Sequence, residues 1–318
     1  MITLDASYVE KHLTAAGCTG LMEDTLRREA EGSCVQYLRT AIELPNTNVL
    51  GLMPGWFDGY FGVKTISVYH TNRGSGYPSH QGQILLFESE HGSLLAGIDA
   101  TSVTKIRTGA VSAAASRVLA RPDSTCLCIM GCGAQGESHL DALLPLFPID
   151  TVTLWDAYPE AAESLAAKLR GSRSGLRVQV CTDAEEAVRN ADIICTLTPS
   201  KEPILFGSWL KKGAHVNAVG ACAPSARELD SDAVAAASFF GDNVESVRHE
   251  SGDYLFPLRE GRIDESHLKG TIGEILCGRI GGRGTEEEIT VFEALGMAVE
   301  DIAAAKMLYD TAAAGELS

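Results

Sequence analysis

The sequence predicts an α/β protein of two units, one with a parallel sheet covered by helices and one with a more antiparallel sheet. Three observations support this fold class. The length of 318 residues is enough for two domains with separate cores. From Thr125 onward, short apolar segments alternate with amphipathic helical segments, as in a parallel sheet with helices on both faces. Before residue 120, apolar segments are separated by short turns, which favours antiparallel pairing.

The first unit is predicted to contain strands over residues 49–53, 61–68, 82–87 and 94–98. An alanine-rich helix over residues 101–119 leads into the second unit. The chain ends in a helix over residues 298–311, with Val299, Ile302, Ala303 and Met307 on one face. Because no linker precedes this last helix, we expect it to pack on the first unit.

The second unit is predicted to contain strands over residues 125–130, 151–155, 177–180, 192–196 and 215–219. A helix over residues 137–147 follows the first strand, and a helix opened by Pro159 follows the second. The predicted domains are therefore residues 1–118 together with 290–318, and residues 119–289.

Composition and charge exclude several classes of protein. Hydrophobic residues make up 45% and charged residues 21% of the chain, which argues against wholesale disorder and fibrous repeats. The net charge of −16 repels phosphate backbones and anionic lipid, so we expect no nucleic-acid and no membrane partner. The N-terminal residues lack a basic region, and no segment approaches the roughly 18 apolar residues of a membrane span. We therefore expect a soluble, cytoplasmic protein.

The cysteines and histidines do not have the spacing of metal ligands. The nine cysteines form no CxxC pair, and the eight histidines show no HxxxH spacing. We expect free thiols in a reducing compartment and no metal cofactor.

A glycine-rich turn, Gly131-Cys-Gly-Ala-Gln-Gly136, follows the first strand of the second unit and opens a helix. In this context Gly131 permits a tight turn, and Gly133 lets the backbone approach a pyrophosphate at the helix N-terminus. Asp156, at the end of the next strand, would accept hydrogen bonds from the adenosine ribose. The alternative is a helix-packing turn with Asp156 as an N-cap, but the strand–turn–helix context favours a dinucleotide site.

In the first unit, three basic residues have mostly apolar or small residues as their neighbours in the sequence. Lys64 interrupts an apolar strand, Arg107 lies in the alanine-rich helix, and Arg39 lies in a third segment. Together they suit a small carboxylate substrate, although an internal salt bridge explains any one of them equally well. His80 could move a proton or simply bridge a loop.

Seven segments match a known family in order and spacing: Gly62-Val-Lys64, Pro78-Ser-His-Gln81, Thr104-Lys-Ile-Arg-Thr108, Gly131-Cys-Gly-Ala-Gln135, Glu202-Pro-Ile-Leu205, Asn217-Ala-Val-Gly220 and Leu295-Gly-Met-Ala-Val-Glu-Asp301. Through them the chain resembles the ornithine cyclodeaminase/mu-crystallin family over essentially its whole length. The mu-crystallin branch is nearer in pattern.

The resemblance implies a Rossmann-type dinucleotide-binding domain inserted in an α+β substrate-binding and dimerisation domain, and a homodimer. It implies that Arg39, Lys64 and Arg107 hold an amino- or imino-acid carboxylate, with Lys64 and Arg107 catalytic. We also place His80 among the substrate-binding residues. The residues implied at the NAD cofactor are Thr108, Gly131, Gly133, Ala134, Gln135, Asp156, Thr196 and Gly220.

Cys222 departs from the cyclodeaminase pattern. Cyclodeaminases carry an aspartate shortly after the glycine that corresponds to Gly220, and Cys222 occupies that place. The resemblance therefore favours a reductase of cyclic ketimine acids, which transfers hydride to a C=N carbon. An ornithine cyclodeaminase or amino-acid dehydrogenase is the alternative enzyme within the family. The alternative that is not an enzyme is a crystallin-like protein that binds the dinucleotide without catalysis.

The residues after the second strand predict a preference for NADH over NADPH. The carboxylate of Asp156 would repel the 2′-phosphate of NADPH, and residues 157–160 include Glu160 but no Arg or Lys. The mu-crystallin relatives favour NADPH through a non-acidic residue followed by Arg at this place, so the chain departs from them here.

Overall fold

The computed structural model describes residues 1–72, 75–78 and 80–316, so Ser79 of the Pro-Ser-His-Gln segment lies outside the described residues. The described strands are β1 (Ile2–Leu4), β2 (Cys34–Gln36), β3 (Thr40–Glu43), β4 (Val49–Phe57), β5 (Tyr60–Val68), β6 (His80–Glu88), β7 (Leu94–Asp99), β8 (Cys126–Met130), β9 (Thr151–Trp155), β10 (Arg177–Val180), β11 (Ile193–Thr196), β12 (His215–Ala218), β13 (Ala237–Gly241), β14 (Leu268–Thr271) and β15 (Ile289–Glu293). The described helices are α1 (Ala6–His12), α2 (Ala15–Ala30), α3 (Ala100–Leu119), α4 (Ala134–Leu143), α5 (Pro159–Ser172), α6 (Ala184–Val188), α7 (Ser231–Ala235), α8 (Val244–Glu250), α9 (Gly252–Arg259), α10 (Ile272–Leu276) and α11 (Ala298–Glu316).

The chain divides into two compact units. Unit 1 is Met1–Arg107 with Gly296–Ser318, and unit 2 is Thr108–Leu295. The domain boundaries predicted from the sequence differ from this division, since 118/119 falls near the end of α3 and 289/290 falls inside β15. β15 pairs with β12 and β13, so its residues belong to the sheet of unit 2.

Unit 1 is built on a sheet with the order β1-β7-β6-β5-β4-β2, and β3 also pairs with β4. β1 and β7 are parallel, whereas the other pairs are antiparallel. Helix α11 packs on β4 and β5, and its Ile302 is fully buried. A Cβ atom on Gly62 would lie 2.4 Å from the backbone oxygen of Leu85 on β6 and 2.6 Å from Cδ1 of Ile302, so a larger residue would clash with the neighbouring strand.

Unit 2 contains a parallel sheet with the order β10-β9-β8-β11-β12-β15-β13-β14. All five residues of β8 are buried, as expected for a central strand covered on both faces. The five strands from β8 to β12 have the 3-2-1-4-5 order of a Rossmann sheet. The predicted fold class, α/β with a Rossmann-type domain beside an α+β unit, is confirmed.

Two predictions about unit 2 need correction. Helix α4 begins at Ala134 rather than at residue 137, because Gly133 already stands at its N-cap. The sequence analysis also assigned no strand beyond residue 219, whereas β13, β14 and β15 extend the sheet. Within the described residues, no helix is both long and apolar enough to cross a membrane.

Candidate functional site

The predicted substrate-binding residues lie in unit 1, and the predicted dinucleotide-binding residues lie in unit 2. Lys64 lies on β5, opposite Met53 of β4 and Ile84 of β6. Its side chain is 3% exposed, and its Nζ lies 2.7 Å from Oδ2 of Asp301 on α11. Nζ also donates a hydrogen bond to Oγ1 of Thr104 at 3.5 Å. The strand thus carries a buried ammonium that is paired with a carboxylate.

Burial lowers the pKa of Lys64 to about 8, and the attraction of Asp301 limits that decrease. The positive charges of Arg107 and Arg39 lower the pKa further. An ammonium with a pKa near 8 is mostly protonated at neutral pH and can release its proton readily, which suits a general acid.

Arg107 lies on α3, whose first turn is capped by Asp99 through a 2.7 Å hydrogen bond from Ser102 N to Oδ1. Its Nε lies 3.1 Å from Oδ1 of Asp301, and its Nη1 lies 3.1 Å from Oε2 of Glu300. Both acidic side chains are fully buried in the first turn of α11. Burial opposes ionisation of Asp301, but Arg107 and Lys64 outweigh it and lower the pKa of this carboxyl.

Gly296 lies against the side chains of two arginines in unit 1. Its carbonyl oxygen accepts a 3.2 Å hydrogen bond from Nη2 of Arg39. Its φ is +82°, and a Cβ atom there would lie 2.7 Å from Nη1 of Arg107. Glycine is therefore required both for the backbone conformation and for the close approach. Arg39, Lys64 and Arg107 are thus brought together with Glu300 and Asp301, and we call these five side chains the cation cluster.

His80 is exposed at the first residue of β6, opposite Val68 of β5. Lys64 lies four residues before Val68 along β5, which corresponds to about 13 Å. The role of His80 in substrate binding stays a prediction.

Glu300 and Asp301 are the acidic residues of the cation cluster that sequence reasoning did not select. They belong to the Leu295–Asp301 segment that carried the resemblance, but were not assigned a role. The available signal was the placement of two consecutive acids at the start of a helix, between the apolar residues Val299 and Ile302.

In unit 2, the glycine turn follows β8 in the way that a Rossmann fold requires. Gly131 has a φ of +107°, and a Cβ atom there would lie 2.9 Å from the carbonyl of Leu197. Gly136 lets α4 lie close to the turn and to β8, since a Cβ atom on it would lie 2.7 Å from the oxygen of Gly131 and 3.2 Å from Cγ2 of Ile129. Gly133 is the N-cap of α4 without a side-chain cap, and a Cβ on it would meet no atom within 4 Å. The start of α4, at Ala134 and Gln135, therefore borders an open space that fits a pyrophosphate.

Asp156 follows β9 and joins the glycine turn. Its Oδ2 accepts a 2.7 Å hydrogen bond from N of Cys132, and its Oδ1 accepts a 2.9 Å bond from N of Tyr158. Each carboxylate oxygen has a second lone pair with which it can accept a bond from a ribose hydroxyl. Asp156 is thus placed beside the turn, as its predicted role requires.

The other predicted dinucleotide residues lie on three further elements or segments of unit 2. Thr196 is the last residue of β11 and is fully buried, Gly220 follows β12, and Thr108 lies buried on α3. Because the strand order reverses between β8 and β11, their carboxyl ends form the crevice where open α/β sheets bind ligands.

Cysteine occurs at nine positions, and Cys222 is the one at which the chain departs from the cyclodeaminase pattern. Cys222 is half-buried, and its Sγ donates to the oxygen of Val219 at 3.2 Å. The nine cysteines, all of them within the described residues, are free thiols. Across residues 1–72, 75–78 and 80–316, no three His, Cys, Asp or Glu side chains are grouped as metal ligands.

A family model described as "Ornithine cyclodeaminase/mu-crystallin family" matches residues 1–316. The chain belongs to the ornithine cyclodeaminase/mu-crystallin family. Within the family, the chain is 38% identical to "Ketimine reductase mu-crystallin" of Mus musculus over 289 residues, which cover 90% of this chain and 88% of the mouse protein.

Two solved structures are similar to this chain over nearly its full length. One is Thermococcus litoralis Delta(1)-pyrroline-2-carboxylate reductase in complex with NADH and L-proline, with a TM-score of 0.96, 33% identity, and coverage of 99% of this chain and 98% of that chain. The other is an archaeal alanine dehydrogenase dimer with bound NAD, with a TM-score of 0.93, 32% identity, and coverage of 99% and 96%.

Proposed function

We propose that the protein is an NADH-dependent reductase of cyclic ketimine acids such as 1-pyrroline-2-carboxylate or 1-piperideine-2-carboxylate. The cation cluster carries this proposal, because it places a buried ammonium next to two guanidinium groups. The ketimine reductase and the pyrroline-2-carboxylate reductase to which the chain is similar support the same reaction class.

The charges of the cation cluster suit one carboxylate. The guanidinium groups of Arg39 and Arg107 provide planar donor pairs that match a carboxylate, and Lys64 adds an ammonium charge. Lys64 and Arg107 are buried, so a substrate carboxylate would contact them with little competition from water. Arg39 and Arg107 would bind this group, and Asp301 and Gly296 would keep the two arginines and Lys64 in place.

Lys64 is assigned to proton transfer. Reduction of a C=N bond adds a hydride to carbon and a proton to nitrogen, and a reduced nicotinamide supplies the hydride when it is bound. The Nζ–H of Lys64 would donate the proton to the imine nitrogen, or stabilise the iminium that has already taken one. Asp301 favours the protonated lysine before transfer, since its attraction raises the pKa of Lys64.

In unit 2, the glycine turn with Ala134 and Gln135 would hold the pyrophosphate, Asp156 the adenosine ribose, and Thr108, Thr196 and Gly220 the rest of the dinucleotide. The open space at Gly133 and the closeness of Asp156 to Cys132 fit such a ligand. The NADH preference rests on the negative charge of Asp156 and the absence of a basic residue at positions 157–160.

We place the protein in the cytoplasm as a homodimer. Free thiols at nine cysteines suit a reducing compartment. Three large apolar side chains in or beside β2 and β3, Tyr37, Leu38 and Ile42, are 57%, 40% and 42% exposed in the single chain. Such an exposed group suits burial against a second copy, and light scattering after size-exclusion chromatography tests the dimer.

The experiment that tests the function is a steady-state assay with purified protein, NADH and each of the two cyclic ketimines. Loss of NADH absorbance that depends on the ketimine, with formation of the cyclic amino acid, is the expected result. A parallel assay with ornithine and NAD, scored for ammonia, reports cyclodeamination. Ammonia release without ketimine reduction would show that the protein is an ornithine cyclodeaminase and not a ketimine reductase. NADH binding without ketimine reduction or ammonia release would indicate a dinucleotide-binding protein that is not an enzyme.

A further inference from the structure

Glu228, which precedes α7, is a fully buried carboxylate that joins the segments after two neighbouring strands. Its Oε1 accepts hydrogen bonds from N and Oγ1 of Thr198 at 2.6 and 2.7 Å. Its Oε2 accepts a 2.8 Å bond from N of Gly220. Thr198 follows β11 and Gly220 follows β12, so one side chain connects the carboxyl ends of both strands.

The backbone of Glu228 is itself held in place. Its carbonyl oxygen accepts bonds from N of Ile204 and N of Leu205 at 2.7 and 2.9 Å. Its N–H donates to Oδ1 of Asp253 on α9 at 2.8 Å. The carboxylate therefore extends from a fixed position toward Thr198 and Gly220.

The two connected segments are in direct contact at Gly220. A Cβ atom on Gly220 would lie 2.1 Å from the oxygen of Thr198 and 2.8 Å from Oε2 of Glu228. Only a glycine permits this approach, and the hydrogen bonds that Thr198 and Gly220 donate to Glu228 maintain it. Gly220 is also one of the predicted dinucleotide-binding residues, although Glu228 was not selected from the sequence.

The protonation state of Glu228 matters because three donors face its oxygens. Burial raises its pKa to about 7, and the hydrogen bonds that Thr198 and Gly220 donate favour the anion. Other acidic groups act on it as well: Asp253 on α9 and Glu293 at the end of β15, whose own pKa values are raised by burial and by mutual repulsion. The anion that accepts all three bonds is thus the prevailing form above neutral pH.

We propose that Glu228 is a positioning residue for the nicotinamide half of the dinucleotide. This inference rests on the proposed function, because it takes the dinucleotide as the ligand. In the sheet, β9 with Asp156 lies on one side of β8, whereas β11 and β12 lie on the other. If Asp156 binds the adenosine ribose, the segments that Glu228 connects face the opposite half of the cofactor.

The test compares two ligands on one set of variants. Glu228→Gln keeps the side-chain shape but turns an amide NH₂ toward a donor, so at least one bond is lost. Calorimetric titration should show about tenfold weaker NADH binding, as expected for loss of a hydrogen bond to a charged acceptor. ADP-ribose, which lacks the nicotinamide ring, should bind with an affinity within about twofold of that of wild type. Glu287→Gln, at an exposed glutamate of the same unit, is the matched control.

A second residue tests the same contact if Glu228→Gln fails to fold. Thr198→Val removes only the hydroxyl donor to Oε1 and should weaken NADH binding about threefold, whereas Thr198→Ser should restore it. Hydrogen–deuterium exchange without cofactor should become faster at the amides of Thr198 and Gly220 in the Glu228→Gln and Thr198→Val variants. If Glu228 positions the cofactor, the Glu228→Gln and Thr198→Val variants should also have a higher KM for NADH than wild type, with an unchanged KM for the ketimine.

The pH dependence gives an independent readout. As the pH falls below about 7, protonation makes wild-type Glu228 neutral, like the glutamine variant. The difference in NADH affinity between wild type and Glu228→Gln should therefore shrink. Equal NADH affinities of the two proteins above neutral pH, or equal weakening of NADH and ADP-ribose, would overturn the inference. If wild type binds neither ligand, the proposed function itself has failed.

Discussion

Lys64 and Asp301 form a buried ion pair in which Nζ lies 2.7 Å from Oδ2, with side chains that are 3% and 0% exposed. The same carboxylate contacts Arg107 through its other oxygen. Asp301 thus contacts two buried cations, and Glu300 is a second partner of Arg107. Both cations would be costly to bury without such partners. The arrangement is the internal ion pairing that the sequence left open for these cations, and their contact with a substrate stays a prediction.

The first prediction concerns Asp301→Asn. Asp301 raises the pKa of Lys64 against the effect of burial, so its neutralisation lowers the pKa of Lys64 below about 8. If protonated Lys64 is required, kcat/KM of wild type decreases above about pH 8, and the decrease begins at lower pH in the variant. A pH profile of ketimine reduction measures this. Asp310→Asn, on the exposed face of the same helix, should leave the profile unchanged; an identical profile for Asp301→Asn would remove Lys64 from proton transfer.

The second prediction concerns Arg107→Ala. We expect the loss of the charged carboxylate contact to cost about 2–5 kcal/mol in kcat/KM, while the dissociation constant of NADH changes by less than about twofold. Because Glu300 and Asp301 lose a partner, thermal unfolding must be recorded together with the kinetics. Arg248→Ala, at an exposed arginine, is the control. Unchanged catalytic efficiency in a folded Arg107→Ala protein would show that this residue does not contact the substrate.

The sequence predicted those parts of the site that depend on neighbouring residues. The glycine turn could be recognised because its strand, turn and helix are contiguous, and Asp156 follows the very next strand. Arg107 stood out as a cation among alanines. Such local patterns also predicted a strand at each of β4 to β12, which explains why the fold class was correct, although the prediction for β4 ended at residue 53 and the strand continues to Phe57.

The remaining features depend on contacts between residues that are distant in the chain. Asp301 lies 194 residues from Arg107, so its role as a shared counter-ion could not be deduced from spacing. Glu228 was missed for the same reason, since its partner Thr198 precedes it by 30 residues on another segment. β15 pairs with β12 across the α7–α10 region, and the sequence alone did not indicate that the chain returns to the sheet there.

The third prediction concerns Cys222→Ser. The thiol is half-buried and donates to the carbonyl of Val219, a contact that a serine hydroxyl can also make. Hydride transfer needs no covalent intermediate, so ketimine reduction should stay within about twofold of wild type. Steady-state kinetics with circular dichroism as the folding control measures this. Complete loss of turnover in a correctly folded variant would instead require a mechanism that uses the thiol.

The last prediction concerns the choice between NADH and NADPH. Asp156 is held at the glycine turn by hydrogen bonds from N of Cys132 and N of Tyr158, so its negative charge lies where a Rossmann fold binds the adenosine ribose. A 2′-phosphate would meet this charge together with that of Glu160, and no basic residue at positions 157–160 offsets them. Wild type should therefore use NADH with the higher catalytic efficiency.

Asp156→Asn removes the charge but keeps an acceptor, and should raise the ratio of catalytic efficiency with NADPH to that with NADH about tenfold. Asp150→Asn, at the exposed residue before the other end of β9, is the matched control and should leave the ratio unchanged. The ratio is measured with both cofactors at one fixed ketimine concentration. A wild-type preference for NADPH, or a ratio that Asp156→Asn does not change, would show that Asp156 does not select the cofactor.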